Sequence, residues 1–160
     1  MPEKKNYRAN VAAVIFNEKG YIWVGERIDI QSIHAWQMPQ GGIDKNEDSK
    51  KAIIREIFEE TGIKSIKIID LIDDWIKYDL PKNIAKNKWN GKYIGQKQKW
   101  YLLYFYGNDK EININLSKNP EFKSWKWDTI SNIIKNTVNF RKKVYKQVFD
   151  NFSKIINQHI

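Results

Sequence analysis

Residues 41–63 read GGIDKNEDSKKAIIREIFEETGI, a pair of glycines followed by a polar stretch and then by glutamates interspersed with isoleucines. Residues 47–61 have the composition of a helix, and Gly62 suits the left-handed position at which many helices end. At about 100° per residue, the glutamates fall on one side of this helix and the large apolar side chains on the other. The acidic side holds Glu56, Glu59 and Glu60, and the apolar side holds Ile53, Ile54, Ile57 and Phe58. The segment therefore predicts a helix with one acidic and one apolar face.

The acidic face of this helix is a candidate metal site. Glutamates three and four residues apart repel each other by roughly a few tenths of a kcal/mol per pair, and a bound cation would reverse the sign of that interaction. Mg²⁺ is the first candidate because it takes oxygen ligands from one or two carboxylates and completes its shell with waters and phosphates. Mn²⁺ or another divalent ion would also suit these ligands. The glutamates alone leave open whether the face binds metal or is simply solvated.

Length, composition and charge limit the class of protein. A chain of 160 residues that is 41% hydrophobic can form one core, and we expect residues 1–160 to be a single domain. The absence of cysteine excludes a disulfide framework, a thiolate metal site and a cysteine nucleophile. The net charge of +9 favours anionic partners, with nucleic acids and nucleotides first, although charge alone does not decide this.

Targeting and membrane segments are not evident in the sequence. No stretch approaches the roughly 20 apolar residues of a membrane span. Residues 1–10 carry charges but lack the apolar centre of a signal peptide. We therefore expect a cytoplasmic protein that has no membrane partner.

Apolar and β-branched runs predict the strands of a sheet. They cover residues 10–16, 21–24, 36–38, 99–107 and 124–127, with further strands within residues 65–80. The first two strands would form a hairpin through a turn that ends at Gly20. Residues 27–35 predict a loop, residues 40–42 a flexible bend, and residues 82–98 a long, lysine-rich surface loop.

The end of the chain predicts two further helical segments, at residues 128–134 and from about residue 139 onward. The second has a core-facing stripe of apolar side chains at helical spacing, formed by Tyr145, Val148, Phe149, Phe152, Ile155 and Ile156. Phe140 lies about 100° from the centre of that stripe, next to Arg141. An exposed ring beside cations predicts a platform on which a nucleobase stacks. The alternative is that Phe140 only anchors the start of the helix.

The spacing of residues 41–63 adds a specific signal. Gly41 is followed after five residues by Glu47, and after seven more by the sequence REIFEETGI. This pattern resembles the box of the Nudix hydrolase family at every fixed position. The resemblance implies an α/β/α sandwich of the α+β type with a mixed β-sheet and a C-terminal helix. It also implies a metal-dependent enzyme in which water attacks a phosphoric anhydride.

The resemblance also assigns roles to individual residues. Glu56, Glu59 and Glu60 are the expected metal ligands and catalytic carboxylates. Arg55 is expected to orient a carboxylate, with Glu47 as its partner. Gly41 and Glu121 complete the expected metal site. Which glutamate acts as the base stays open.

Segments outside the box resemble a bacterial subgroup of the family, the RNA pyrophosphohydrolases. They are residues 7–11, 36–42, 94–100, 120–122 and 140–141. This resemblance implies removal of pyrophosphate from the 5′-triphosphate end of RNA, which leaves a 5′-monophosphate and initiates mRNA decay. The substrate contacts that it implies are Arg8, Arg27, Gln40, Gln96, Lys97, Phe140 and Arg141.

Two other functions remain open at the level of sequence. The same subgroup includes enzymes described as dinucleoside polyphosphate hydrolases, which split diadenosine tetraphosphate. A protein of a different class, which keeps the fold and binds RNA without catalysis, would also agree with the net charge of +9. The intact set of carboxylates favours an enzyme over that second alternative.

Overall fold

The computed structural model describes residues 6–160, which form a mixed sheet with helices on both faces. The seven strands are β1 (Tyr7–Phe16), β2 (Ile22–Arg27), β3 (Trp36–Gln37), β4 (Gln40–Gly42), β5 (Ile66–Asp79), β6 (Gly95–Phe105) and β7 (Phe122–Asp128). Their order is β3-β2-β1-β6-β5, with β4 paired to β1 and β7 paired to β2. The central pair, β1 and β6, is parallel, and the other pairs are antiparallel.

Four α-helices accompany the sheet: α1 (Ser49–Thr61), α2 (Lys82–Ala85), α3 (Ile130–Lys135) and α4 (Asn139–His159). Short 3-10 turns occur at Trp89–Gly91 and Asp109–Glu111. Within residues 6–160, no helix has both the length and the apolar character needed to cross a membrane.

Strand β1 lies at the centre of the molecule because its side chains are buried on both faces of the sheet. Successive side chains of a strand point to opposite faces. Ala12, Val14 and Phe16 contribute to a core cluster that includes α4, whereas Val11 and Ile15 contribute to a second cluster that includes α1. Helices α1 and α4 therefore cover opposite faces, which confirms the predicted sandwich with a mixed sheet and a C-terminal helix.

Helix α1 is held at both ends by local hydrogen bonds. The side chain of Asp48 accepts a hydrogen bond of 2.8 Å from the backbone N–H of Lys51, an N-cap interaction. At the other end Gly62 has a φ of 73°, and its N–H donates to the carbonyl of Phe58. The predicted C-terminus of the helix is confirmed. The predicted start at residue 47 is wrong, because the cap is Asp48 and the helix begins at Ser49.

The structure corrects two further local predictions. Residues 40–42, predicted as a flexible bend, are strand β4, which pairs with residues 10–12 of β1. Residues 82–98, predicted as one long loop, contain α2 and a 3-10 turn, and β6 already begins at Gly95. In both places the backbone finds hydrogen-bond partners in β1 or β5 that local sequence does not reveal.

Candidate active site

Arg55 joins helix α1 to the loop that precedes it. Its guanidinium donates to both carboxylate oxygens of Glu47, at 2.8 and 2.9 Å, and to the carbonyl of Gly42 at 3.0 Å. It also donates to Glu56 at 3.0 Å and to Glu59 at 3.2 Å. The two-fold hydrogen bond from Arg55 lowers the pKa of Glu47 to about 2. Arg55 thus fixes the orientation of carboxylates on both sides of the site.

Glu56 lies directly against the backbone of strand β4. A Cβ atom placed on Gly41 would lie 2.1 Å from Cδ of Glu56. Only glycine leaves room for the carboxyl group at this point. The glycine at the start of the box therefore allows β4 and α1 to approach each other closely enough to position Glu56.

Glu56, Glu60 and Glu121 form an acidic group in the lining of a pocket of about 320 Å³. Burial raises the pKa of all three carboxyls. The pKa of Glu60 rises to about 8, because burial and the nearby charges of Glu121 and Glu56 all disfavour its ionised form. Three ionised carboxylates this close together repel one another when no cation is present. A bound cation would make the same arrangement favourable.

This acidic group fits a divalent metal ion. Oε2 of Glu60 is buried and lacks a hydrogen-bond partner in the structure, so it is free to act as a ligand. All donors are carboxylate oxygens, which suit a hard cation. Across residues 6–160, no group of three or more acidic or histidine side chains is arranged to hold a metal by itself. The remaining ligands would therefore come from waters and from a substrate.

Positively charged side chains line the same pocket beside the acidic group. They are Arg8, Arg27 and Lys88. Arg27 donates to Asp29 at 2.8 Å and to Glu121 at 3.0 Å, which raises the pKa of the guanidinium further above its ordinary value. Partial burial, and then the nearby charge of Arg141, lower the pKa of Lys88. An ammonium group held among other cations is well suited to an anionic ligand.

Trp89 holds two of these cations in place. The guanidinium of Arg8 lies 5.0 Å from the centre of the indole ring, and the ammonium of Lys88 lies 5.2 Å from it. Trp89 has a φ of 49°, in the left-handed region that bulky residues rarely adopt, and Asn90 follows it with a φ of 57°. Strained backbone of this kind occurs at sites where the surrounding structure fixes it for a function.

Hydrogen-bonded amide side chains line the pocket and continue behind it. Gln96 accepts hydrogen bonds from Asn10 at 2.8 Å and from Arg8 at 3.5 Å, and it donates to the hydroxyl of Tyr78. Gln98 donates to Asn10 and to Gln40, each at 2.9 Å. These bonds connect β1, β4, β5 and β6, so they fix the rotamers of the polar groups that face the ligand.

The structure brings most of the predicted site residues to this one pocket. Its lining includes Gly41, Glu56, Glu59, Glu60 and Glu121 from the predicted metal site, and Arg8, Arg27, Gln40 and Gln96 from the predicted substrate contacts. Arg55 and Glu47 lie behind it and hold the carboxylates.

Three predicted substrate contacts lie outside the lining of the pocket. Lys97 points to the other face of the sheet from Gln96, and its ammonium lies 4.8 Å from the centre of the Trp75 ring. Phe140 is half-buried rather than exposed, and it stacks on Tyr78 with 6.0 Å between ring centres. Arg141 is buried beneath the rim, close enough to Glu121 and Lys88 to shift their pKa. Contact between these residues and a substrate stays a prediction.

Sequence reasoning missed Asn10 and Gln98, and it gave Lys88 and Trp89 no individual role within the lysine-rich segment 82–98. A weak signal was present for the first two, because a polar side chain at every second position of an apolar strand points to one face. The position of Lys88 and Trp89 depends on the left-handed turn at residues 89–91, for which the sequence offers only Gly91 as a sign.

The pocket has the construction of a phosphoanhydride hydrolase, with a helix of glutamates, an arginine that orients them and a set of cations beside them. Comparison with a model of the NUDIX domain matches residues 6–148. The chain belongs to the Nudix family and is a Nudix hydrolase. Members of this family generally need a divalent metal ion.

Curated relatives resemble the chain over almost its whole length. A protein of Wolbachia sp. subsp. Brugia malayi is 45% identical over 99% of this chain and 97% of its own length. A protein of Dinoroseobacter shibae is 44% identical over 92% of each chain, and one of Pelagibacter ubique is 45% identical over 94% of each. All three are named RNA pyrophosphohydrolase.

Solved structures support the fold. The dihydroneopterin triphosphate pyrophosphohydrolase of E. coli covers 92% of this chain and 99% of its own, with a TM-score of 0.71 and 17% identity. An Ap4A hydrolase of C. elegans covers 91% of this chain and 98% of its own, with a TM-score of 0.63 and 18% identity. At these identities the likeness concerns the fold alone.

Proposed function

We propose that this enzyme removes pyrophosphate from the 5′-triphosphate end of RNA and leaves a 5′-monophosphate. The observation that carries the proposal is one pocket lined by Glu56 and Glu60 together with Arg8, Arg27 and Lys88. A triphosphate placed there would lie within reach of both the cations and the acidic group. The names of the relatives support RNA as the molecule that carries the triphosphate.

The proposed cofactor is Mg²⁺, which the oxygen-only donors favour. Glu56 and Glu60 would hold it, with Glu59 and Glu121 beside them. When bound, such an ion neutralises phosphate oxygens and lowers the pKa of a water molecule. Arg55 and Glu47 keep Glu56 in position, because the guanidinium bonds to both carboxylates.

In the proposed reaction, water adds to the α-phosphorus and the bond from that atom to the bridging oxygen of the β-phosphate breaks. Pyrophosphate leaves with the electron pair of that bond, and a glutamate of the acidic group takes the proton of the water. Arg8, Arg27 and Lys88 bind the negative charge on the departing phosphates. The hydrogen bonds of the Gln96 and Gln98 amides keep the polar side chains of the pocket in one arrangement.

The test is release of pyrophosphate from 5′-triphosphorylated RNA in the presence of Mg²⁺. The wild-type enzyme should produce RNA with a 5′-monophosphate. Glu56→Gln and Glu60→Gln should each lower kcat by about 10² or more, since each removes a negative charge that would hold the cation. Glu18→Gln is the matched control, because Glu18 is an exposed glutamate outside the pocket. Unchanged turnover in both site variants would overturn the assignment of the acidic group.

Diadenosine tetraphosphate is the second candidate substrate. It carries the same anhydride bonds, and the cations of the pocket would bind its phosphate chain as well as that of RNA. Efficient cleavage of this compound without cleavage of triphosphorylated RNA would favour the second candidate. If wild-type protein binds RNA but cleaves neither compound, the non-catalytic alternative would be correct.

A further inference from the structure

A group of aromatic and lysine side chains lies on the sheet face that α1 covers, just beyond the start of that helix. We define the aromatic-lysine patch as Tyr7, Trp75, Lys77, Lys97 and Lys99. Lys97 is paired with Lys77 of β5 and with Ala9 of β1. Residues two apart on a strand share a face, so Tyr7 and Lys99 point to the same side as Lys97.

The position of this patch relative to α1 follows from strand β6. Tyr101 lies two residues after Lys99 on the same face, and its hydroxyl is hydrogen bonded to Ser49, the first residue of α1. The helix therefore covers the sheet up to Tyr101, and the patch occupies the next part of the same face. Trp75 is 36% exposed, and Lys77 is exposed.

The lysines of the patch lie over its aromatic rings. The ammonium groups of Lys97 and Lys99 are 4.8 and 5.1 Å from the centre of the Trp75 ring, and that of Lys77 is 5.5 Å from the centre of the Tyr7 ring. Two acidic groups touch the patch. Asp73 lies 3.9 Å from Lys99, and Asp79 accepts a hydrogen bond from Tyr7. The three lysines supply cationic groups, but the net charge of the patch is small, because the exposed Asp74 adjoins Trp75 in addition to these two aspartates.

An open sheet face with aromatic rings and cations is a common design for binding single-stranded nucleic acid. Bases stack on the rings, and the cations follow the phosphate backbone. Trp75 lies where β5 and β6 lose register between Ile72 and Ile76. Such irregularities redirect side chains, and here the exposed indole lies beneath two ammonium groups.

The patch is also continuous with the pocket along the chain. Tyr7 and Lys97 directly adjoin Arg8 and Gln96, which line the pocket from the other side of the sheet. A strand whose 5′ end occupies the pocket would pass the ends of β1 and β6 to reach the patch. Neither the acidic group nor the cations of the pocket would be displaced by it.

We infer that the aromatic-lysine patch binds the single-stranded RNA that follows the 5′ end held in the pocket. The inference rests on the proposed function for the direction of the strand. The patch would increase affinity for an RNA chain over a short triphosphorylated fragment. It would not take part in the chemical step.

The test measures binding and turnover separately. Binding is followed by fluorescence anisotropy with a 5′-monophosphorylated RNA of about twelve unpaired nucleotides, labelled at its 3′ end. Trp75→Ala should weaken this binding about tenfold or more, because a stacking platform is lost. Trp75→Phe should restore most of it. Phe58→Ala is the matched control, since that ring also lies under a lysine, 5.0 Å from Lys64, but outside the patch.

A second variant tests the charge. Lys77→Gln/Lys99→Gln should reduce the slope of the logarithm of affinity against the logarithm of salt concentration by about 1.4, two phosphate contacts at about 0.7 each. Its folding is judged by its thermal unfolding. Unchanged affinity in Trp75→Ala together with an unchanged salt slope in the lysine variant would overturn the inference.

Turnover separates this inference from the proposed function. Trp75→Ala should raise KM for the long triphosphorylated RNA and leave a triphosphorylated dinucleotide unaffected. Equal losses on both substrates would contradict a role limited to the body of the RNA. If wild-type protein cleaves neither substrate, the proposed function fails, and the patch is judged by the binding data alone.

Discussion

At the scale of single residues, the site depends on close contacts that leave no space for a larger side chain. Gly41 is the clearest case, because its missing side chain is the space that the carboxyl group of Glu56 occupies. The box glycine is thus explained by the packing of a catalytic side chain against the backbone of β4, without any need for an unusual turn.

Gly41→Ala should therefore damage activity more than folding. The new methyl group would displace the carboxyl of Glu56, and a displacement of about 1 Å at a reacting centre costs about 10² in rate. Steady-state kinetics and thermal unfolding of the same preparation measure the two effects. If a folded Gly41→Ala protein kept the kcat of the wild type, Gly41 would not be needed to position Glu56.

Glu60 makes stability depend on pH when metal is absent. Its pKa is about 8 in the folded protein, whereas a solvent-exposed glutamate, as in the unfolded chain, has an ordinary value of 4.5, so between these values the folded state holds a proton that the unfolded state has lost. Stability must then fall as pH rises from about 5 to 8. With chelator present, we expect the Tm of wild-type protein to decrease by about 5 °C more over this range than that of Glu60→Gln.

Mg²⁺ should reverse the effect of pH, because it binds the ionised form of the acidic group and stabilises the folded state. Thermal unfolding at several pH values, with and without the ion, would measure this. Identical pH dependence in wild type and Glu60→Gln would show that Glu60 ionises normally and that the acidic group is less tightly coupled than its geometry indicates.

At the scale of elements, α4 supports the segment that leads into the site. Tyr145 on this helix is buried, and its hydroxyl accepts a hydrogen bond of 3.0 Å from the backbone N–H of Met38. Met38 lies two residues before β4, so the bond ties the helix to the segment that leads into the box. The apolar stripe predicted for this helix includes Tyr145 and is mostly buried.

Tyr145→Phe should destabilise the protein by about 1–3 kcal/mol, since the N–H of Met38 would remain buried without a partner. We expect a decrease in Tm of about 5 °C. Tyr106→Phe is a suitable control, because Tyr106 is 62% exposed. A loss in the control equal to that in Tyr145→Phe would contradict the importance of the buried hydrogen bond.

The sequence was most informative where local chemistry determines structure. The end of α1 at Gly62, the acidic face and the layered fold could all be predicted, because helical spacing and a fixed motif carry them. The amide chain through Asn10 and Gln98 could not, because it depends on which strands pair. For the same reason Lys97 was grouped with Gln96, although neighbouring residues on a strand point to opposite faces.

At the scale of the whole molecule, positive charges that contribute to the net +9 are found in two separate places. Part of this charge lies in the pocket as Arg8, Arg27 and Lys88, beside the acidic group. Another part lies in the aromatic-lysine patch. An anionic polymer that begins in the pocket and continues along the surface would use both, whereas a small nucleotide would use only the first.

The proposed function therefore depends most on which anhydride the enzyme prefers. The most direct test is the ratio of kcat/KM for 5′-triphosphorylated RNA to kcat/KM for diadenosine tetraphosphate, measured with Mg²⁺ in one buffer. We expect this ratio to exceed about tenfold in favour of RNA, with pyrophosphate and 5′-monophosphorylated RNA as products. A ratio that favours diadenosine tetraphosphate, or the absence of any cleavage of the RNA, would contradict the proposed function.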